Sequence, residues 1–196
     1  MFGELNKHFE IFIPDLLGFG SSGRPEFLCR TTEETAEYFV VCLRKWMDKT
    51  GFESEGPYSI IAHSLGCWVA SLFAVLYPQN ILQMMFLSPA CMAKPKPDFC
   101  PLRFIQRYES LGKRMLFRLA YMSWGKHYSP AIVFKLPGKS WAWFLHRQWA
   151  ARIKCNDKSK KEKLSKIIMQ VCMRHSTADR CIDMACEFGG DARISI

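Results

Sequence analysis

Ser64 stands in the run Ala62-His63-Ser64-Leu65-Gly66, with a small residue two positions before it and another two positions after it. A short apolar run, Tyr58 to His63, leads into it, and an apolar run of helical length, Cys67 to Tyr77, follows with no linker. A serine on so abrupt a strand-to-helix turn is the arrangement of a nucleophile elbow: the turn projects the hydroxyl from the sheet edge, and the small neighbours let backbone segments approach closely. The chemistry would be attack of the hydroxyl on an acyl carbonyl, with the Leu65 amide at the helix N-terminus holding the oxyanion. Ala62 stands where glycine is usual, and His63 is turned away from the hydroxyl by strand alternation. The bland reading is a serine and a glycine that fell two apart by chance. The adjoining strand and helix and an upstream Asp-x-x-Gly loop favour the elbow.

Other residue types that could do chemistry carry weaker signals. Asp15-Leu-Leu-Gly18-Phe-Gly20-Ser-Ser-Gly23-Arg-Pro25 is a glycine-punctuated loop in which Asp15 caps a turn and the glycines permit positive φ. His127, His146 and His175, with Asp98, Asp157, Asp179, Asp183 and Asp191, follow no apolar strand and read as surface or lid residues; His8 reads as structural. The acid and base of a triad are therefore not assigned. Trp141, Trp143, Phe144 and Trp149, beside Arg147, Arg152 and Lys154, are either the core of a lid or an interfacial patch with indoles at headgroup level and cations on phosphates. Nine cysteines lie scattered from Cys29 to Cys186 without a Cys-x-x-Cys pair, so free thiols are expected, with no metal and no organic cofactor.

The elements that must position Ser64 follow from periodicity. His8 to Pro14 (HFEIFIP) reads as a buried strand, Thr31-Thr-Glu-Glu34 as a capping box, and Phe39, Cys42, Leu43, Trp46 and Met47 as the core face of a helix that Gly51 ends. Tyr58–His63 and Ile81–Leu87 read as two further strands around the helix after Ser64, which Pro78 closes. Alternating strands and helices predict a parallel sheet. After Ala93, Lys94-Pro-Lys-Pro97 is a stiff linker, and the rest is basic and helical in texture.

The 196 residues suffice for one domain with its own core, and no apolar stretch reaches the roughly 20 residues that cross a bilayer. The N-terminus lacks the features of a secretory signal, which predicts a cytoplasmic chain. The net charge of +9 is unevenly placed: residues 1–93 hold 6 Lys/Arg against 10 Asp/Glu, net −4, whereas residues 94–196 hold 21 against 8, net +13. A basic segment serves nucleic acid or anionic lipid, but no zinc-finger spacing or RNP-type aromatic pattern favours nucleic acid.

The string Asp15 to Pro25 followed by His63-Ser64-Leu65-Gly66 resembles the α/β-hydrolase superfamily, and within it the α/β-hydrolase domain-containing proteins four and five. The resemblance covers roughly residues 8 to 90, with a faint echo at Phe188-Gly-Gly-Asp-Ala-Arg193. It implies a serine hydrolase, esterase or lipase, acting on acyl lipids such as lysophospholipids, with acyltransfer to lysophosphatidic acid as a related activity. A coactivator branch of that group carries Asn in place of the nucleophile, whereas this chain has Ser64. The family's second oxyanion donor lies in an upstream His-Gly loop, and its acid and histidine lie on later strands. Neither is found in these 196 residues, so the chain is expected to be incomplete and nearly inert alone.

The expectation is a partial α/β-hydrolase fold, with a core at 1–93 bearing the elbow and a basic helical lid at 94–196. Its partners would be an acyl lipid and a peripheral anionic surface: membrane, lipid droplet or mitochondrion. The alternatives are a non-catalytic lipid-surface or lipase-regulating protein, or an inactive fragment. No feature points to an oligomeric state.

Overall fold

The computed structural model describes residues 2–52, 56–94, 97–124, 157–173 and 180–186. A short helix, α1 (Phe2–Leu5), precedes an extended segment and the glycine loop; then come α2 (Thr32–Thr50), β1 (Tyr58–His63), α3 (Leu65–Leu76) and β2 (Ile81–Leu87). Four helices follow: α4 (Pro101–Gln106), α5 (Leu111–Ser123), α6 (Lys158–Met173) and α7 (Cys181–Ala185). Among the described residues no helix is long and apolar enough to cross a membrane.

The expected cap of α2 forms. The Thr31 side chain accepts from the Glu34 N–H at 3.1 Å, while the Glu34 carboxylate reaches back to the Arg30 N–H at 2.7 Å. Together these satisfy amides that have no carbonyl inside the helix. Gly51 ends α2 with φ 68°, ψ 12°, a left-handed cap. Between the caps, Thr35, Phe39, Val40 and Met47 are buried.

β1 and β2 pair in parallel around α3, from Tyr58 with Ile81 to His63 with Leu87, with one irregularity after Tyr58. Val40, Met47, Tyr58 and Phe73 form one core cluster between α2, α3 and the sheet; Ala62, Cys67 and Ala70 form a second beneath the elbow. The opposite sheet face, with Ile61, Met85 and Leu87, is exposed.

Two expectations fail. His8 to Pro14 is not a strand: it runs extended with Phe9 and Ile13 exposed at 65% and 67%, while Phe12 lies edge-on to Phe52 and Trp46. Strand state depends on a ladder partner as much as on composition, and among the described residues β1 and β2 pair with each other alone. The cysteines are not all free either. Cys91 and Cys186 are bonded as a disulfide, their Cα atoms 5.1 Å apart, while among the described residues Cys29, Cys42, Cys67 and Cys100 are free. α7 brings Cys186 there by docking on α2, where the Thr32 hydroxyl donates to the Met184 carbonyl at 2.7 Å.

Candidate active site

Ser64 joins β1 to α3 with φ 54° and ψ −123°, a backbone conformation that a side-chain-bearing residue rarely adopts. The strain is held from both sides. The Ser64 N–H donates to the Leu87 carbonyl at 3.1 Å, and the Ser64 carbonyl accepts from Cys67 N–H at 3.0 Å and Ala90 N–H at 3.2 Å. The end of β2 and the loop after it thus clamp the elbow, with Ser88 and Cys91 in that loop also at positive φ, 45° and 61°. No sequence signal marks this second strained turn, because neither residue is a glycine.

Ser64 is half-buried, and its hydroxyl makes no cap hydrogen bond to α3. Leu65 opens α3, so its N–H belongs to the first turn of amides that lack an intrahelical acceptor and favour negative charge. The arrangement offers a hydroxyl and one aligned donor at the carboxyl edge of a parallel sheet, where ligands of open α/β sheets bind.

The flanking residues divide. Ala62 is buried and packs beneath the elbow with Cys67 and Ala70. Gly66 is not crowded: a Cβ there would meet nothing within 4 Å, so the expected steric need for smallness fails at this position among the described residues. His63 is exposed, as alternation requires, and pairs in register with Leu87.

The glycine loop borders the same region, since Leu16 and Phe19 pack on the cluster that holds Trp68, Cys91 and Cys186. Asp15 shapes the loop: its carboxylate accepts from the Ser21 N–H at 2.8 Å, and its carbonyl accepts from the Ser22 hydroxyl at 2.6 Å. Gly20 has φ 49°, and a Cβ there would fall inside the Asp15 carboxylate. Gly23, expected to share this left-handed conformation, does not adopt it.

Of the remaining candidates, Asp98 is exposed, and Asp157 caps α6 by accepting from Ser159 and Lys160 N–H at 2.9 and 3.1 Å. Asp183, expected as a surface or lid residue, lies in α7 and is 1% exposed, with Cys181, Met184 and Ala185 also buried there. His127, His146, His175, Asp179 and Asp191 lie outside the described residues, as do Trp141, Trp143, Phe144, Trp149, Arg147, Arg152 and Lys154. Among the described residues no set of three or more His, Cys, Asp or Glu side chains converges as a metal site.

Comparison with known proteins agrees with this geometry. The family model for the alpha/beta hydrolase fold matches residues 1–120. A probable 1-acylglycerol-3-phosphate O-acyltransferase of Oryza sativa subsp. japonica is 30% identical over 89 residues, 45% of this chain and 21% of the relative. The human 1-acylglycerol-3-phosphate O-acyltransferase ABHD5 is 30% identical over 88 residues, 45% of this chain and 24% of the relative. The human (lyso)-N-acylphosphatidylethanolamine lipase is 33% identical over 75 residues, 38% of this chain and 21% of the relative. The matching stretch thus spans less than a quarter of the length of each of these relatives. No solved structure matches the chain. A β–α–β unit with a strained serine at its first turn, inside a match covering well over half of the sequence, makes this chain a member of the α/β-hydrolase fold family.

Proposed function

We propose that Ser64 is the nucleophile of acyl transfer from an acyl lipid such as a lysophospholipid. The observation that carries the reading is the Ser64 backbone, at φ 54° and ψ −123° on the β1–α3 junction with the Leu65 N–H beside it. In the first half-reaction the Ser64 Oγ bonds to the acyl carbonyl carbon, the bond from that carbon to the alkoxy oxygen breaks, and the Oγ proton passes through a base to the leaving alcohol. The Leu65 N–H supports the oxyanion of the tetrahedral intermediate. Water then releases a fatty acid, or an acceptor alcohol such as lysophosphatidic acid takes the acyl group. The lipid-acting names of the relatives support the substrate class.

Fluorophosphonate labelling with the adduct mapped by mass spectrometry tests this, because phosphonylation needs the nucleophile but no turnover. Ser64 carries the adduct, and Ser64→Ala loses it. Turnover by the 196 residues stays near background, since a serine hydroxyl needs a base within about 3 Å and loses most of its rate without one.

A second reading, a lipid-surface or lipase-regulating protein without chemistry, is favoured by one observation: among the described residues nothing hydrogen-bonds the Ser64 hydroxyl. An elbow that labels no faster than the unfolded chain would decide for it. We also propose a core at 1–93 and a basic cap at 94–196, supported by the helical character of α4 to α7 and the net charge of +13 in the latter segment. Peripheral placement on membranes, lipid droplets or mitochondria fits that charge, whereas the Cys91–Cys186 disulfide does not favour the reducing cytoplasm.

A further inference from the structure

α4 and α5 form a hairpin that packs through one side and leaves the other bare. On the inner side Phe99, Phe104, Tyr108 and Phe117 form a chain of ring contacts, tilted, then edge-on, then stacked, with Tyr108 and Phe117 parallel at 4.6 Å, and Ile105 is fully buried. On the outer side of α5, Leu111, Met115, Leu119 and Met122 are 79%, 68%, 50% and 62% exposed. Their spacing of four, four and three residues puts them in one row along the helix. Leu102 of α4 is exposed as well.

We propose that this outer row of α5 docks the protein on an anionic lipid surface. Charge complementarity selects this occupant over an apolar protein groove. Arg103, Arg107, Lys113 and Arg118 are exposed on the hairpin, and Arg118, seven residues after Leu111, borders the apolar row itself. Neither α4 nor α5 carries an acidic residue; Glu109 in the turn between them is the one acid of the hairpin. A 13-residue helix is roughly 20 Å long, so it can lie in the interface plane with its apolar row among the acyl chains and its cations among the phosphates. Unbranched methionine suits such a surface, since it repacks against irregular neighbours. The proposal deepens the acyl-lipid reading of Ser64, but its binding step requires no chemistry at Ser64.

The test is cosedimentation of the intact 196-residue chain with phosphatidylcholine vesicles, with and without phosphatidylglycerol, at low and high salt. The wild type partitions onto the anionic vesicles and is released by salt. Met115→Asp/Leu119→Asp weakens partition by roughly tenfold or more with an unchanged far-UV spectrum. Met115→Gln/Leu119→Gln, which adds no charge, weakens it in the same direction. Arg107→Glu/Arg118→Glu removes the preference for anionic over neutral vesicles. Ser64→Ala binds like the wild type even if it loses all labelling, so failure of docking and failure of the catalytic reading are told apart. Equal binding to both vesicle types would overturn the proposal. So would undiminished binding by both Met115/Leu119 variants, or a self-associated chain that those variants convert to monomer.

Discussion

At the scale of single residues, Ser64 and Tyr38 are both out of the ordinary, for opposite reasons. The strain at Ser64 is sustained by three backbone hydrogen bonds, whereas the buried hydroxyl of Tyr38 has no hydrogen-bond partner among the described residues. Its ring sits edge-on to Phe27 and Phe39 at 5.2 and 5.1 Å. Burial first, then the nearby Cys42, Cys29 and Cys181, push its pKa from 10.0 up to about 12. Below pH 10 the phenol is neutral in both folded and unfolded chains, and its contribution to stability is fully present. As the pH rises toward 12 the unfolded chain ionises first, so that stability is lost. Tyr38→Phe removes the unpaired hydroxyl and should leave stability unchanged or raise it by about 1 kcal/mol in urea melts near neutral pH. The variant should also lack the wild-type loss of stability between pH 10 and 12. A cost above about 1 kcal/mol would mean that the hydroxyl has a partner after all.

At the scale of elements, what the sequence made legible were the parts fixed by local rules. Thr31 to Glu34 announces the start of α2 and Gly51 its end, because capping uses side chains three residues apart and left-handed φ favours glycine. Thr31→Ala should therefore cost about 1 kcal/mol in the same melts, with the loss confined to α2 in hydrogen exchange. A loss below a few tenths would show that packing of Phe39, Val40 and Met47, and not the cap, fixes that end of the helix. The elbow was legible for a similar reason, since strand, small-residue turn and helix adjoin in 58–76. Features that depend on distant partners were not legible. His8 to Pro14 has strand composition but no ladder neighbour among the described residues. α5 has an apolar periodicity that the sequence shows, but only the fold decides that this row faces out.

At the scale of the whole molecule, the bond between Cys91 and Cys186 spans 95 residues and ties the loop that clamps Ser64 to the segment after α7. No spacing rule could have paired two cysteines so far apart among nine. Trp124 supports the junction by donating from its indole to the Cys186 carbonyl at 3.2 Å. A cross-link over a loop of this length restricts the unfolded chain by roughly 4.7 kcal/mol. Cys186→Ala and reduction by dithiothreitol should therefore each lower the melting temperature to a common value, and non-reducing peptide maps should show the two cysteines joined. Free thiols at both positions in the oxidised protein would remove this tie. The tie lies one residue after Ala90, whose N–H donates to the Ser64 carbonyl, so it borders the turn that would make this serine a nucleophile. The most direct measurement is prolonged fluorophosphonate labelling of the native chain, of the chain in urea and of Ser64→Ala, read by peptide mass spectrometry. A single adduct should form at Ser64, slowly, and be absent in urea and from the variant. An adduct on another serine, or equal labelling of native and unfolded chains, would contradict Ser64 as the nucleophile.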